Sequence, residues 1–369
     1  MTSIEYWNDG KTKILLPEDE NGRKIEIGYF SDVQFTGHSI HYPQPLLYSN
    51  YSKKLVLPTK EMFMSLGRGT VYEETMEYEA DIKNPELMYD GNVYYFVYNM
   101  ANYFHFIYDT LPYLYGYFNE KQYFPDLKLL VSPPEGRTDL YSFVWDTLEL
   151  LGITRSDVVF LNDKARYKMV VVGSSLTHDG LPNTPPHKKV FDIINRLDGD
   201  YDAPEKIYIS RRTWINNKGI DYTKHVERRR CVNEDDVVSL FKEKGFVEVF
   251  CENLSMKEKI GLFRGAKVIA GPIGGGFTNV IFSPSSTKVI SIDSPTFFDI
   301  NYRVKYVMSH TQLHQQIAVP PDGNRHGGTK SLSCGQPAQA LAGHAGHCHS
   351  PRFHRTGHAR PDIPEPDGP

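Results

Sequence analysis

Three short stretches of the chain carry residue types that could do chemistry together. The first is Asn102-Tyr-Phe-His-Phe-Ile-Tyr-Asp-Thr-Leu-Pro112, in which His105 and Asp109 are four residues apart. On a helix that spacing places both side chains on one face within hydrogen-bonding reach. Either can then act as a general base while its neighbour tunes it. A buried polar pair in an aromatic-rich core helix is the plainer account of the same residues. The second stretch is Ser210-Arg211-Arg212, at the carboxyl end of an expected strand. Guanidinium groups there can grip a phosphate bidentately without a metal ion, or can stay a solvated surface pair. The third is Gly271-Pro-Ile-Gly-Gly-Gly-Phe-Thr-Asn279. Gly274, Gly275 and Gly276 let the backbone approach an anion closely, and Thr278 and Asn279 add hydrogen-bonding side chains at the helix entry. A tight turn that needs glycine for sterics alone is the alternative. The run has neither the Lys-Ser/Thr ending of a Walker loop nor the GxGxxG spacing. Glu234, Glu252 and the run Arg228-Arg229-Arg230 are weaker candidates.

The elements that must position these residues can be read from periodicity. Residues 1 to about 90 are β-rich, with runs such as Lys24-Ile-Glu-Ile-Gly-Tyr-Phe broken by Gly, Pro and Asn. Residues 93–98 read as a buried strand and Tyr103 to Asn119 as a helix that Pro112 must bend or restart. Lys128-Leu-Leu-Val, Asp157 to Leu161 and Met169 to Gly173 are further strands, with a helix from Leu140 to Leu151 ended by Gly152. Asp179 to His187, with three prolines, reads as a surface loop. From Lys206 onward the alternation is clearest. A strand ends at Ser210, Asn233 caps a helix with Glu234, Asp235 and Asp236 in its first turn, and Gly245 stops it. Val247 to Phe250 is a strand, and Ser255 and Glu258 have capping-box spacing. Lys267 to Ala270 and Lys288 to Ile292 are strands on either side of the glycine run. Strands alternating with helices predict an α/β, doubly wound nucleotide-binding unit.

Composition narrows the function classes. The chain has 369 residues and a net charge of −4, which argues against a broad nucleic-acid surface. No stretch reaches the roughly 18 apolar residues of a membrane span. The opening MTSIEYWNDGKTK has no apolar stretch after a basic start, so no secretory leader is expected and a cytoplasmic location is. Cys231, Cys251, Cys334 and Cys348 are too scattered for a zinc knuckle or a disulfide framework, and Asn50-Tyr-Ser and Asn253-Leu-Ser read as chance glycosylation matches. All 24 tyrosines lie at or before Tyr306, whereas residues 311–369 hold one aromatic, Phe353, and seven of the fourteen histidines. That segment is expected to be a disordered tail, its abrupt change of style suggesting a non-native origin. His344, His347, Cys348, His349 and His354 there could bind a metal only adventitiously, and no designed metal site is expected. Aromatic crowding around residues 93–124 suits either a homo-oligomer interface or simple core packing.

Taken in order, these motifs resemble glycosyltransferase family 61, whose members include capsular polysaccharide biosynthesis proteins. The resemblance rests on Asn102 to Pro112, Tyr208-Ile-Ser-Arg-Arg, Arg229-Arg-Cys-Val-Asn-Glu-Asp-Asp-Val, Glu252-Asn-Leu-Ser and Ile260 to Asn279, and it covers roughly residues 90–295. It implies a GT-B-like α/β architecture, two Rossmann-type domains with a cleft between them. The expected divisions are an acceptor-side domain at 1–195, a nucleotide-sugar-binding domain at 196–310 and the tail at 311–369. It also implies an inverting, metal-independent transfer of a sugar from a UDP-sugar donor to a glycan acceptor hydroxyl, with no cofactor. Carried onto this chain, Arg211, Arg212 and the turn Gly274, Gly275, Gly276, Phe277, Thr278 and Asn279 would hold the diphosphate. Asn233 and Glu234 would lie beside the donor, and Asp109, assisted by His105, would be the base facing the acceptor. Relatives usually have histidine where this chain has Ile273, and they end in helical structure for which no amphipathic pattern follows His310. Apolar surface left exposed there would favour self-association. Two other readings remain: a nucleotide- or glycan-binding relative that has lost transfer, and an NAD-dependent oxidoreductase.

Overall fold

The computed structural model describes residues 4–6, 11–17, 25–36, 46–51, 54–57, 87–96, 100–134, 136–174, 176, 187, 189–212, 230–231, 233–293, 313–318 and 331–332. All of them belong to one compact unit, Met1–Cys334. The first sheet is built from β1 (Ile4–Tyr6), β2 (Lys11–Leu16), β3 (Ile25–Thr36), β4 (Leu46–Ser49), β5 (Lys54–Leu57), β6 (Leu87–Tyr95), β7 (Lys128–Val131), β8 (Val158–Phe160) and β9 (Ala165–Gly173). The strand order is β1-β5-β4-β3-β9-β6-β7-β8, with β2 on β3. The β3 flank is antiparallel, whereas β9, β6, β7 and β8 run parallel. The second sheet is parallel throughout. It comprises β10 (Lys206–Ile209), β12 (Val247–Val249), β13 (Val268–Pro272), β14 (Lys288–Asp293) and β15 (Leu313–Ala318), in the order β12-β10-β13-β14-β15. A short pair, β11 (Arg230–Cys231) with β16 (Ser331–Leu332), stands apart from both sheets.

β15 corrects the expected tail. Residues 313–318 are an edge strand in register with Lys288–Asp293, and Ser331–Leu332 pairs with β11. Backbone pairing to an existing edge needs little apolar side-chain area, so composition alone misjudged it. The rest of 311–369, with its His/Cys cluster, lies outside the described residues, as do Asp179 to Pro186 of the expected loop.

Each sheet contains one strand whose successors lie on opposite sides. β6 is flanked by β7 and β9, and β10 by β12 and β13. Such a switch point opens a crevice beyond the strand's carboxyl end. The His105/Asp109 segment follows β6, and Arg211 follows β10. The expected helix at 103–119 is wound in four pieces. One α turn (Tyr103–His105) leads into a wide π-type stretch (Phe106–Thr110), a 3-10 turn (Leu111–Tyr113) and then α1 (Leu114–Glu120). Pro112 lacks an N–H and crowds the carbonyl four residues back, so the winding changes there as the sequence predicts.

The remaining helices are α2 (Ser142–Leu150), α3 (Val190–Ile194), α4 (Glu234–Glu243) and α5 (Met256–Gly265). Gly152 and Gly245 adopt the left-handed backbone just past α2 and α4. The Ser255/Glu258 box closes in both directions, at 3.3 and 2.7 Å. Tyr94, Tyr95, Phe96, Phe106, Tyr108, Tyr113 and Tyr117 are buried in the core, so core packing accounts for most of the aromatic crowding. One contiguous apolar cluster runs from Ile27 and Val93 through Leu148 and Phe263 to Val289.

Candidate active site

At the first switch point the Asn102 side chain caps the opening turn, its Oδ1 accepting from the Phe104 and His105 amides at 3.0 and 3.4 Å. His105 Nδ1 and Asp109 Oδ2 lie 2.6 Å apart. An ionised carboxylate here would accept from Nδ1–H, which would leave Nε2 as the ring nitrogen open to an incoming proton. Asp109 is 2% exposed and the His105 side chain 28%. An incoming hydroxyl can therefore reach the imidazole and not the carboxylate. Burial in the π-type stretch thus covers Asp109 and leaves His105 the more accessible of the two, the reverse of what a base at Asp109 would need.

The second switch point gathers Arg211, Glu234 and Gly274. The Arg211 amide donates to Glu234 Oε1 at 2.9 Å, and Nη1 lies 3.5 Å from the Ile273 carbonyl. Glu234 opens α4 and is buried; burial pushes its carboxyl above the usual range. It holds the strand end in place rather than facing a ligand. The Arg211 guanidinium lies against the turn so closely that a Cβ on Gly274 would come within 3.3 Å of it. A Cβ on Gly276 would meet Ile209 at 3.0 Å, whereas Gly275 has open space above it. A side chain at Gly274 or Gly276 would thus press on a neighbour that must give by a few tenths of an ångström, whereas one at Gly275 would not.

Arg212 has another fate. Its guanidinium forms a fork on Glu248, at 2.8 and 2.6 Å, and reaches Asp235 at 2.5 Å. Lys242 adds a contact to Glu248 at 2.9 Å. Burial raises the Glu248 carboxyl, but hydrogen bonds from Arg212, Lys242 and Ser210 outweigh it and hold it at about 2. The Arg212 guanidinium, expected as a second diphosphate clamp, is thus engaged by two carboxylates of the protein itself. Sequence reading did not single out Glu248, because nothing within β12 marks it as the partner of a residue 36 positions earlier.

The other expected donor contacts are also internal. Phe277, Thr278 and Asn279 are buried in the 3-10 stretch that follows the turn (Gly276–Phe282). Asn279 Nδ2 donates to the Gly276 carbonyl at 2.8 Å, and Oδ1 accepts from the Tyr103 hydroxyl. The two switch points therefore meet directly through Tyr103, another residue the sequence reading passed over. Buried Thr278 Oγ1 has no hydrogen-bond partner among the described residues. Asn233 occupies the cap position of α4 but makes no side-chain cap bond. Ile273 packs into the core, so an apolar side chain suits that position. Cys251 is a buried free thiol pushed up to about 12 by burial. Glu252 is exposed, and Arg228 and Arg229 lie outside the described residues. Among the described residues no three His, Cys, Asp or Glu side chains gather as a metal-ligand set, and no helix is long and apolar enough to cross a membrane.

An arginine packed on a glycine turn at one switch point and a His–Asp pair at the other suit group transfer in an α/β fold. A family model described as Glycosyltransferase 61 matches residues 103–290, just over half of the chain. The matched region starts at Tyr103 and ends in β14, so it spans both switch points. The chain belongs to glycosyltransferase family 61, and its activity is glycosyl transfer. No curated protein matches it in a sequence comparison.

Proposed function

We propose that the chain is an inverting glycosyltransferase that moves a sugar from a UDP-sugar donor to a glycan acceptor hydroxyl without a metal ion. The observation that carries this reading is the Arg211 guanidinium lying on the Gly274 turn at the β10 switch point, linked through Tyr103 and Asn279 to the His105–Asp109 pair. In this reading the diphosphate sits over Gly275, where the backbone leaves room. Arg211 offsets the negative charge that grows on the leaving nucleotide. His105 Nε2 takes the proton of the acceptor hydroxyl as its oxygen bonds to the anomeric carbon and the carbon–diphosphate bond breaks. Attack from the face opposite the diphosphate inverts that carbon. Asp109 keeps Nδ1 protonated and supports the imidazolium that forms. A GT-B-like arrangement, with the first sheet on the acceptor side and the second on the donor side, belongs to the same reading. So do a capsular-type polysaccharide acceptor and a cytoplasmic location.

The test is calorimetric titration of UDP, with EDTA present, into the full-length chain. Truncation at residue 310 is unsuitable because it removes β15. We expect binding in the parent and a loss of about 10–100-fold in Arg211→Ala, the scale of one charge-assisted contact. A folded parent that does not bind UDP would sink the uridine-donor reading, and binding abolished by EDTA would sink the metal-free one.

A further inference from the structure

We infer that Tyr103 is a positioning residue that fixes the distance between the His105 base and the donor turn, an inference that rests on the function proposed above. Tyr103 lies two residues before His105. Its hydroxyl donates to Asn279 Oδ1, and Asn279 Nδ2 donates to the Gly276 carbonyl at 2.8 Å. Two hydrogen bonds thus connect the base-bearing segment to the last glycine of the turn. Asn279 is fully buried and both its amide atoms are used within the protein, so it works as a strut between the two motifs.

The same tyrosine is gripped on other sides. Met256 Sδ, at the start of α5, is 3.3 Å from its oxygen. Phe143 of α2 meets its ring edge-on at 5.4 Å, and Lys259 Nζ of α5 stands 5.1 Å from the ring centre. Burial pushes the phenol well above its ordinary value, so it remains a donor throughout the working pH range. Asn102 binds the amides of Phe104 and His105, which makes the turn stiff enough to pass a shift of Tyr103 on to His105. A displacement of about 1 Å between base and reacting carbon costs on the order of 10²-fold in rate. A strut that prevents it acts on turnover and not on donor affinity.

Tyr103→Phe retains the ring and its contacts with Phe143 and Lys259 and removes only the hydroxyl. In the full-length chain we expect UDP affinity and donor KM within about twofold of the parent, and kcat lower by about 10–100-fold. Parental kcat in a folded Tyr103→Phe variant overturns the assignment, and so does a loss that appears wholly in UDP affinity. A parent that turns over no UDP-sugar would instead refute the proposed function. Hydrogen exchange, which needs no substrate, then decides the coupling. Faster exchange in Tyr103→Phe at both 103–113 and 276–282 supports it, and a change on one side only, or on neither, overturns it.

Discussion

At the end of β10 two neighbouring arginines are divided by three carboxylates. Arg212 is clamped by Glu248 and Asp235, while Glu234 fixes the Arg211 backbone and leaves its guanidinium over the turn. At the end of β6 a histidine and an aspartate are joined, with the aspartate buried and the imidazole half-open. In both regions a buried carboxylate holds a neighbouring residue, Glu234 the Arg211 backbone and Asp109 the His105 ring. The backbone settings differ. Just past the strand end, the Arg211 guanidinium lies by the Ile273 carbonyl and the Arg212 guanidinium on Glu248. Residues four apart on a helical segment converge, so His105 and Asp109 act together.

The sharpest way to break this comparison is at the β6 end. His105→Ala should lower kcat by about 10²–10⁴-fold, the usual worth of a general base. Asp109→Asn should lower kcat as well, since an amide that donates to Nδ1 leaves the ring proton on Nε2. Near-parental kcat in His105→Ala beside a large loss in Asp109→Asn would return the base role to Asp109.

The next effect, on stability, lies at the β10 end. Arg212→Ala should cost about 1–3 kcal/mol in urea unfolding at neutral pH while leaving UDP affinity within about threefold. The Glu248 carboxyl is depressed from 4.5 to about 2, so its ion-pair contribution is complete above pH 4.5 and fades as pH falls through about 2. The stability gap between parent and variant should close over that window. A UDP affinity that falls as far as in Arg211→Ala would show that the two arginines are not divided after all.

The smallest effect is expected at Gly275, where a methyl group meets no protein atom and the backbone is ordinary right-handed helical. Gly275→Ala should change stability by less than about 1 kcal/mol but weaken UDP several-fold, on the order of a crowded contact. Unaltered affinity would move the diphosphate off the turn.

The sequence by itself determined what depends on residues a few positions apart. β7 occupies the four residues its apolar run marks, α4 stops at Gly245, the Ser255 box forms and Pro112 breaks the winding. These are settled by local sterics and local hydrogen bonds, so each short segment holds its own answer. The residue types of both motifs were equally legible, because a base, a cation and a close backbone approach each need particular side chains, or none.

Only the tertiary structure decided how those residues divide the work. Arg212 turns away because Glu248, brought alongside by the pairing of β10 with β12, is buried where a lone carboxylate would be costly. Asp109 is buried and His105 stays partly open because the core closes over one and not the other. Tyr103 meets Asn279 from 176 residues away, and β15 extends a sheet beyond the point where apolar composition ends. In each case the deciding quantity is burial or a partner supplied by a distant segment, and neither is written in the local order of residues.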